Sequence, residues 1–373
     1  MPSNFDIVIG QKKAKEAILS FSANNRLSHA YLLWGNEGIG KDALAIEFAK
    51  TILCENSNRL ACGECSSCKK MESLQHPNLT IVFPLPGSDK EKDKNGEKVD
   101  NSTLAEVRTQ IAHKAQDPYY HIEIPRAKFI LINSIRALKK ESSLSASGSG
   151  KKVFLIFDAD AMNDAAANAL LKVLEEPLEG TCFVLTTSRK DMVKDTILSR
   201  CQLLHCTTLS IDDICTALME RDNVDAESAQ LIARLANGSY RRAKQLLGED
   251  FHAVRNDSLQ FLRNILGSLP VKLFEDQDKY MRSGNKDDAE QLLMSMLVWF
   301  RDAMVLRENA DETVVNIDQS KDLHSFLSKF GAKNIEQCMT TTEHALELLR
   351  RNVYLPLVIL SFSVQIRQIL HAE

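Results

Sequence analysis

The residues with the clearest capacity for chemistry lie near the start of the chain. In "WGNEGIGKDALA", residues 34–45, Gly35, Gly40 and Lys41 satisfy the pattern G-x-x-x-x-G-K, with Gly38 between them. Such a loop holds a phosphate through backbone N–H groups, the positive end of the following helix and the lysine ammonium. An ordinary glycine-rich turn before a helix is the plain alternative. In a hydrolysing loop the next residue is a Ser or Thr whose hydroxyl holds Mg²⁺; here it is Asp42. A carboxylate there sets negative charge beside the phosphates, unless it ligates a metal directly.

A second element points the same way. Hydrolysis needs a strand ending in consecutive acids, one for Mg²⁺ and one to orient water. The candidate stretch, "VFLIFDADAMND" (153–164), runs Phe157-Asp158-Ala159-Asp160, so one member of the pair is missing in either register. Asp158 is left with two readings, a metal role or a turn cap. Loss of hydrolysis is the expectation, and ATP binding itself is in question.

A third group is Cys54, Cys62, Cys65 and Cys68, spaced C-x7-C-x2-C-x2-C, with Gly63 easing the turn between ligands. Four thiolates at such spacing suit a tetrahedral structural Zn²⁺ site; with every position filled, none is open for catalysis. An iron–sulfur cluster or an unmetallated thiol group are the alternatives, though no ferredoxin-type pattern accompanies the cysteines. The remaining cysteines, 182, 201, 206, 215 and 338, are scattered and read as core residues.

The elements that must position these groups follow from periodicity. Ala14, Ala17, Ile18 and Phe21 predict a helix within 11–25, and "AYLLW" predicts a strand running into the glycine loop. Leu44, Ala45, Phe48, Ala49 and Ile52 predict the helix after it. "LTIVF" (79–83), "KVFLIFD" (152–158) and "CFVLTT" (182–187) are further buried-strand candidates. Strands alternating with helices imply a parallel sheet in a three-layer α/β domain. Within 84–125, the stretch 87–102 is charged and aperiodic and reads as a mobile surface insertion, whereas "DPYYHIEIPRAK" carries an aromatic pair that either docks a partner or fills a crevice. Residues 143–152 read as a flexible connection. From 209 onward strand signals fade into short helices, then a longer all-helical run over 251–373.

Composition sets outer limits. The 373 residues allow two or three domains; 44% hydrophobic and 26% charged residues describe an ordinary globular protein. A net charge of −4 provides no general nucleic-acid footprint, which argues against a lone zinc-dependent nucleic-acid module. The opening "MPSNFDIVIG" lacks a signal pattern and no run approaches a membrane span, so a cytoplasmic, membrane-free protein is expected.

"NALLKVLEEP" (168–177), "TILSRCQ" (196–202) and "RLSHAYLL" (26–33), taken with the glycine loop and the cysteine cluster, resemble the bacterial clamp-loader AAA+ family, nearest to its delta-prime branch. The motifs span roughly 5–243; beyond them the chain matches only in being helical. The resemblance implies an AAA+ P-loop domain over 1–208, a small helical lid over 209–250 and a helical collar over 251–373. It implies that Arg200, within Ser199-Arg200-Cys201, is a finger inserted into an adjacent subunit's ATP site; a surface arginine capping a helix end is the plain alternative. Arg241 in "NGSYRRAKQLL" falls at the family's sensor-2 place, and Thr187 near its sensor-1 place; packing roles would account for either. Aligned on "NALLK", Phe157 stands where the family has its metal-holding aspartate and Asp158 where it has a glutamate. The cysteine spacing departs slightly, with x7 where x8 is frequent. The implied role is a non-hydrolysing subunit beside gamma/tau and delta partners, loading a sliding clamp onto primed DNA. A gamma/tau-type ATPase is the rival reading.

Overall fold

A computed structural model describes residues 5–23, 27–56, 60–86, 101–142, 150–247, 251–267, 286–308, 314–316, 319–351 and 353–371. Most of the charged stretch 87–102, and most of 143–152, lie outside them. The chain divides into two compact units, residues 1–229 with 236–243, and residues 230–235 with 244–373.

The first unit is built on a five-stranded, wholly parallel sheet. In chain order its strands are β1 (Ala30–Trp34), β2 (Leu79–Val82), β3 (Lys152–Ile156), β4 (Thr181–Thr187) and β5 (Gln202–His205). Across the sheet the order is β2-β3-β4-β1-β5. Alternate side chains of a strand face opposite sides. Ala30, Leu32, Phe154, Ile156, Phe183 and Leu185 join one apolar cluster with residues of α5 (Ile132–Ser142) and α6 (Asp164–Glu175). Tyr31, Leu33, Leu155 and Val184 are equally buried but belong to the opposite face, where the Tyr31 ring meets Phe48 of α2 (Lys41–Leu53) edge-on at 4.9 Å. Both faces are therefore covered, which is why the central strands read as continuous apolar runs. Three layers of helix, sheet and helix result, as expected.

The other helices of this unit are α1 (Lys12–Ala23), α3 (Ser66–Glu72), α4 (Asn101–Gln116), the single turn α7 (Asp195–Leu198) and α8 (Ile211–Arg221). α9 (Ala226–Leu235) and α10 (Tyr240–Leu247) each run from one unit into the other. The edge strand β5 was not among the expected strands. Only Leu204 of its four residues is buried, so it lacks the apolar run that marked the others. Cys215 also departs from expectation: it lies half-buried on α8, its thiol 3.9 Å from the Met219 sulfur, whereas Cys182, Cys201, Cys206 and Cys338 are buried.

Among its described residues the second unit contains helices and no strand: it includes α11 (Phe251–Leu266), α12 (Lys286–Arg307), α13 (Ser320–Phe330), α14 (Ile335–Arg350) and α15 (Leu355–His371). Its core includes Phe261, Leu293, Phe300 and Phe362. Asp302, fully buried among them, accepts from the backbone N–H groups of Val315 (3.0 Å) and Asn316 (2.7 Å). The Asn316 side-chain carbonyl in turn accepts two bonds from Arg255. A buried carboxylate is tolerated because its lone pairs are met in this way.

Candidate functional site: a glycine loop filled from within, and a four-cysteine cluster

The glycine loop leaves β1 at Gly35 and enters α2 at Lys41. Gly38, Gly40, Lys41, Asp42, Asp158 and Arg241 line one cavity, so six of the residues singled out from sequence do converge. Gly35 and Thr187 lie just outside it. Glu37, Lys114, Pro118, Tyr119, His121 and Ser188 complete the wall.

Lys41 turns back on its own loop, donating to the Asn36 carbonyl (2.6 Å) and to Ser188 Oγ (3.0 Å). Burial lowers its pKa, against the pull of Asp42 and other nearby acidic groups. Asp42 Oδ2 accepts from Lys114 Nζ at 2.8 Å, and Oδ1 accepts from Thr186 Oγ1 at 2.7 Å. Burial alone would raise the Asp42 carboxyl; the Lys114 ammonium and the two hydrogen bonds overcome it and hold the carboxyl at about 2. Lys114, at the end of α4, is 1% exposed; its ammonium also donates to the Tyr120 carbonyl (2.6 Å) and lies 5.1 Å from the centre of the Phe157 ring.

β3 ends before Phe157, which is buried. Asp158 turns the chain out of the sheet with φ of 53°, a left-handed conformation that Asp tolerates better than most residues. It precedes a 3-10 turn, Ala159–Ala161, but its side chain makes no cap hydrogen bond there. Burial, reinforced by the charge on Asp42, pushes its carboxyl up to about 6. Thr187 donates to Asp160 (2.6 Å), which also accepts from Arg189, so Thr187 serves the turn next to the cavity.

Arg241 pairs with Glu37, and its backbone N–H reaches the Gly38 carbonyl at 3.3 Å. The turn packs so tightly that a Cβ on Gly38 would lie 2.9 Å from that of Arg241. At Gly40, where φ is +98°, a Cβ would lie 2.8–3.1 Å from the Tyr119 ring and hydroxyl. That hydroxyl accepts the Ile9 N–H (2.8 Å), and the ring meets Tyr240 edge-on at 4.8 Å. The crevice-filling role of the aromatic pair is thus visible in Tyr119, while Tyr120 bonds Gln110 (2.9 Å).

Mg²⁺·ATP does not fit these residues as they stand. The positions expected to hold the metal carry an ion-paired carboxylate and a buried phenyl ring, and Lys41 is turned onto its own loop.

Arg200 lies on the turn between α7 and β5 and is not among the residues lining that cavity. Its side chain is 35% exposed, and its guanidinium pairs with Glu175 at 2.8 Å and caps α7 by donating to the Thr196 carbonyl at 2.9 Å. Ser199 is exposed beside it, and Cys201 is buried in the α6 face of the sheet.

The four cysteines form a separate centre between α2 and α3. Their sulfurs all lie within 4.8 Å of one another, with Cys54–Cys65 and Cys62–Cys68 each 3.9 Å apart. A tetrahedron with Zn–S bonds of about 2.3 Å has edges of about 3.8 Å. Backbone N–H groups of Cys62, Cys65 and Cys68 point at neighbouring sulfurs at 3.3–3.4 Å, an arrangement that favours thiolates. Bonds from the Glu64 and Cys65 backbone draw the Cys62 thiol down to about 6, whereas burial pushes the Cys54 and Cys68 thiols up. The donor set therefore fits a metal ion, and Cys65 additionally caps α3.

The sequence reading missed Lys114, Ser188 and His121. "DPYYHIEIPRAK" marked the neighbourhood, but nothing in it tied Lys114 to a loop some seventy residues earlier.

The family model described as "DNA polymerase III, delta subunit" matches residues 10–210. The chain is 27% identical to DNA polymerase III subunit delta' of Bacillus subtilis, over 88% of this chain and 87% of that protein. It is 29% identical to the delta' subunit of Pseudomonas aeruginosa, over 64% of this chain and 62% of that protein. It is 26% identical to the tau subunit of B. subtilis, over 83% of this chain but 48% of tau. Among solved structures, a gamma subunit-related protein from Thermotoga maritima aligns over 96% of this chain and 99% of that chain, at 14% identity and a TM-score of 0.45. Among the described residues no helix is long and apolar enough to cross a membrane.

Proposed function

The chain belongs to the family of the DNA polymerase III delta subunit, and from that premise we propose that it is the delta-prime-type, non-hydrolysing subunit of a bacterial clamp loader. In this reading it sits beside gamma/tau and delta subunits and lends Arg200 to the ATP site of a neighbouring gamma/tau subunit. The assembly then opens a sliding clamp and places it on primed DNA. Residues 1–208 form the P-loop domain, 209–250 the lid and 251–373 the collar that joins the subunits. The four cysteines hold a structural zinc ion, which would tie the end of α2 to α3 and supply no chemistry. The protein works in the cytoplasm, where replication takes place.

One observation carries the reading. The two places that should offer oxygens to Mg²⁺ hold a carboxylate already paired with an ammonium, and Phe157, which is 2% exposed. Phosphoryl transfer relies almost wholly on positioning and charge neutralisation, so a site without the metal has little left to work with. An arginine that donates in trans needs some exposure and a turn able to present it; Arg200 is half-buried on such a turn. Its pairing with Glu175 is a surface contact worth about 0–1 kcal/mol, weak enough to yield to a triphosphate.

The test is Arg200→Ala in a reconstituted loader. Removal of such a finger costs about 10³-fold or more at the served site. Clamp- and DNA-stimulated ATPase should fall several-fold while the subunits still assemble; unchanged turnover would sink the trans role. A second reading, a hydrolysing gamma/tau-type subunit, draws on the matches to tau and on the retained Lys41. It requires the purified chain to turn over Mg²⁺·ATP by itself.

A further inference from the structure

The 84–125 region is long, and the non-hydrolysing role gives it nothing to do. Yet its helix α4 and the turn after it deliver Lys114 and Tyr119 into the glycine loop. We infer that Lys114 is a built-in cation standing in for the divalent metal, and that Tyr119 closes the loop above it, so that the chain occupies its own nucleotide site.

The inference rests on the reading of this chain as non-hydrolysing and adds what took the place of the lost chemistry. In a working loop a neutral hydroxyl at position 42 and an acid at position 157 share a cation. Here position 42 has gained a negative charge, position 157 has lost its charge, and a single ammonium lies 2.8 Å from the first and 5.1 Å from the ring centre of the second. The exchange is complementary. An isolated carboxylate in this half-buried place would be costly, and an isolated lysine that is 1% exposed more so. Each substitution makes sense with the other in place. A second hydrogen bond fixes the ammonium, to the Tyr120 carbonyl at 2.6 Å, so the residue that supplies the charge also pins the turn that supplies the ring. Tyr119 is held in turn by the Ile9 N–H and by Tyr240. Because Gly40 has no Cβ, that ring can lie against the phosphate-binding bend itself.

The experiment uses the full chain with Mn²⁺ as the probe, followed by electron paramagnetic resonance with and without ATP. Wild-type protein should leave millimolar Mn²⁺ and Mn²⁺·ATP free. Lys114→Ala should bind about one Mn²⁺ per chain at least tenfold more tightly, through the carboxylates it leaves uncovered. Adding Asp42→Asn should abolish that gain. Wild-type chain that binds Mn²⁺·ATP, or a folded Lys114→Ala that gains no Mn²⁺, overturns the inference. If Lys114→Ala does not fold, thermal melts of Lys114→Met, Asp42→Asn and their combination decide. Each single variant should melt several degrees below wild type and the double should recover most of that loss; additive losses overturn it. Binding of Mn²⁺·ATP without turnover would remove the built-in cation while leaving the Arg200 role standing, whereas ATP hydrolysis by the lone chain would remove both.

Discussion

Asp158 shows how a position changes meaning when its neighbours change. At the end of β3, beside Asp42 and Asp160, its carboxyl is pushed up by burial to about 6. The folded state therefore loses stability as the pH rises from about 4, where the unfolded chain ionises, and the loss is complete above about 6. The cost fades as the pH falls towards about 4, the ordinary carboxyl range, where the unfolded chain is protonated too. Asp158→Asn should stabilise the protein at pH 8 by up to roughly 3 kcal/mol, at about 1.4 kcal/mol per pH unit of displacement, and hardly at pH 3.5. Urea midpoints of the two proteins at both values check this; an equal gain at both would show that charge is not the cause. Asp42 works in the opposite sense. Its carboxyl is held at about 2, so the stability it contributes is present at neutral pH and is lost only as the pH falls from about 4 towards 2.

At the scale of elements, two helices are tied down by means other than apolar packing. α3 has seven residues, too few for a helix to persist by itself in water. It starts at a cysteine cap and carries Cys68 in its first turn, so an ion shared with Cys54 and Cys62 would fasten it to the end of α2. Purified protein should contain about one zinc per chain. Stripping the metal with a strong chelator should raise amide exchange throughout α3 and lower the melting temperature by several degrees, while the exchange of β4 stays unchanged. Protein that lacks metal and has an equally protected α3 would contradict the site. α4 is tied at its far end by the Lys114 ammonium, and Gln110 on the same helix accepts from Tyr120 Oη and the Glu123 backbone N–H. A single helix thus carries both the charge that enters the loop and the amide that shapes the turn following it.

For the whole molecule, the trans reading separates this chain's loop from the activity of the assembly. Lys41→Ala, in a reconstituted loader, should leave ATP turnover and clamp loading within about twofold of wild type, or roughly 0.4 kcal/mol, because Lys41 here donates to Asn36 and Ser188. A defect as deep as that of Arg200→Ala would restore the gamma/tau-type reading. The helices of the second unit enclose a core of their own around Phe300 and the Asp302–Asn316–Arg255 network.

Local order was open to direct reading, since it is written in neighbouring residues. The parallel sheet followed from apolar runs bounded by turns, the loop from its glycines and lysine, and the cysteine centre from spacings that bring four sulfurs together across one turn. β5 escaped because an edge strand with one buried residue leaves no apolar run. Lys114 escaped for another reason: its meaning depends on Asp42 and Phe157, far away in the chain, and the fold alone brings the three together. In sequence, Asp42 and Phe157 register as two losses and Lys114 as one more charged residue on a helix. Tertiary packing makes them a single electrostatic unit, because burial leaves each charge in need of its partner.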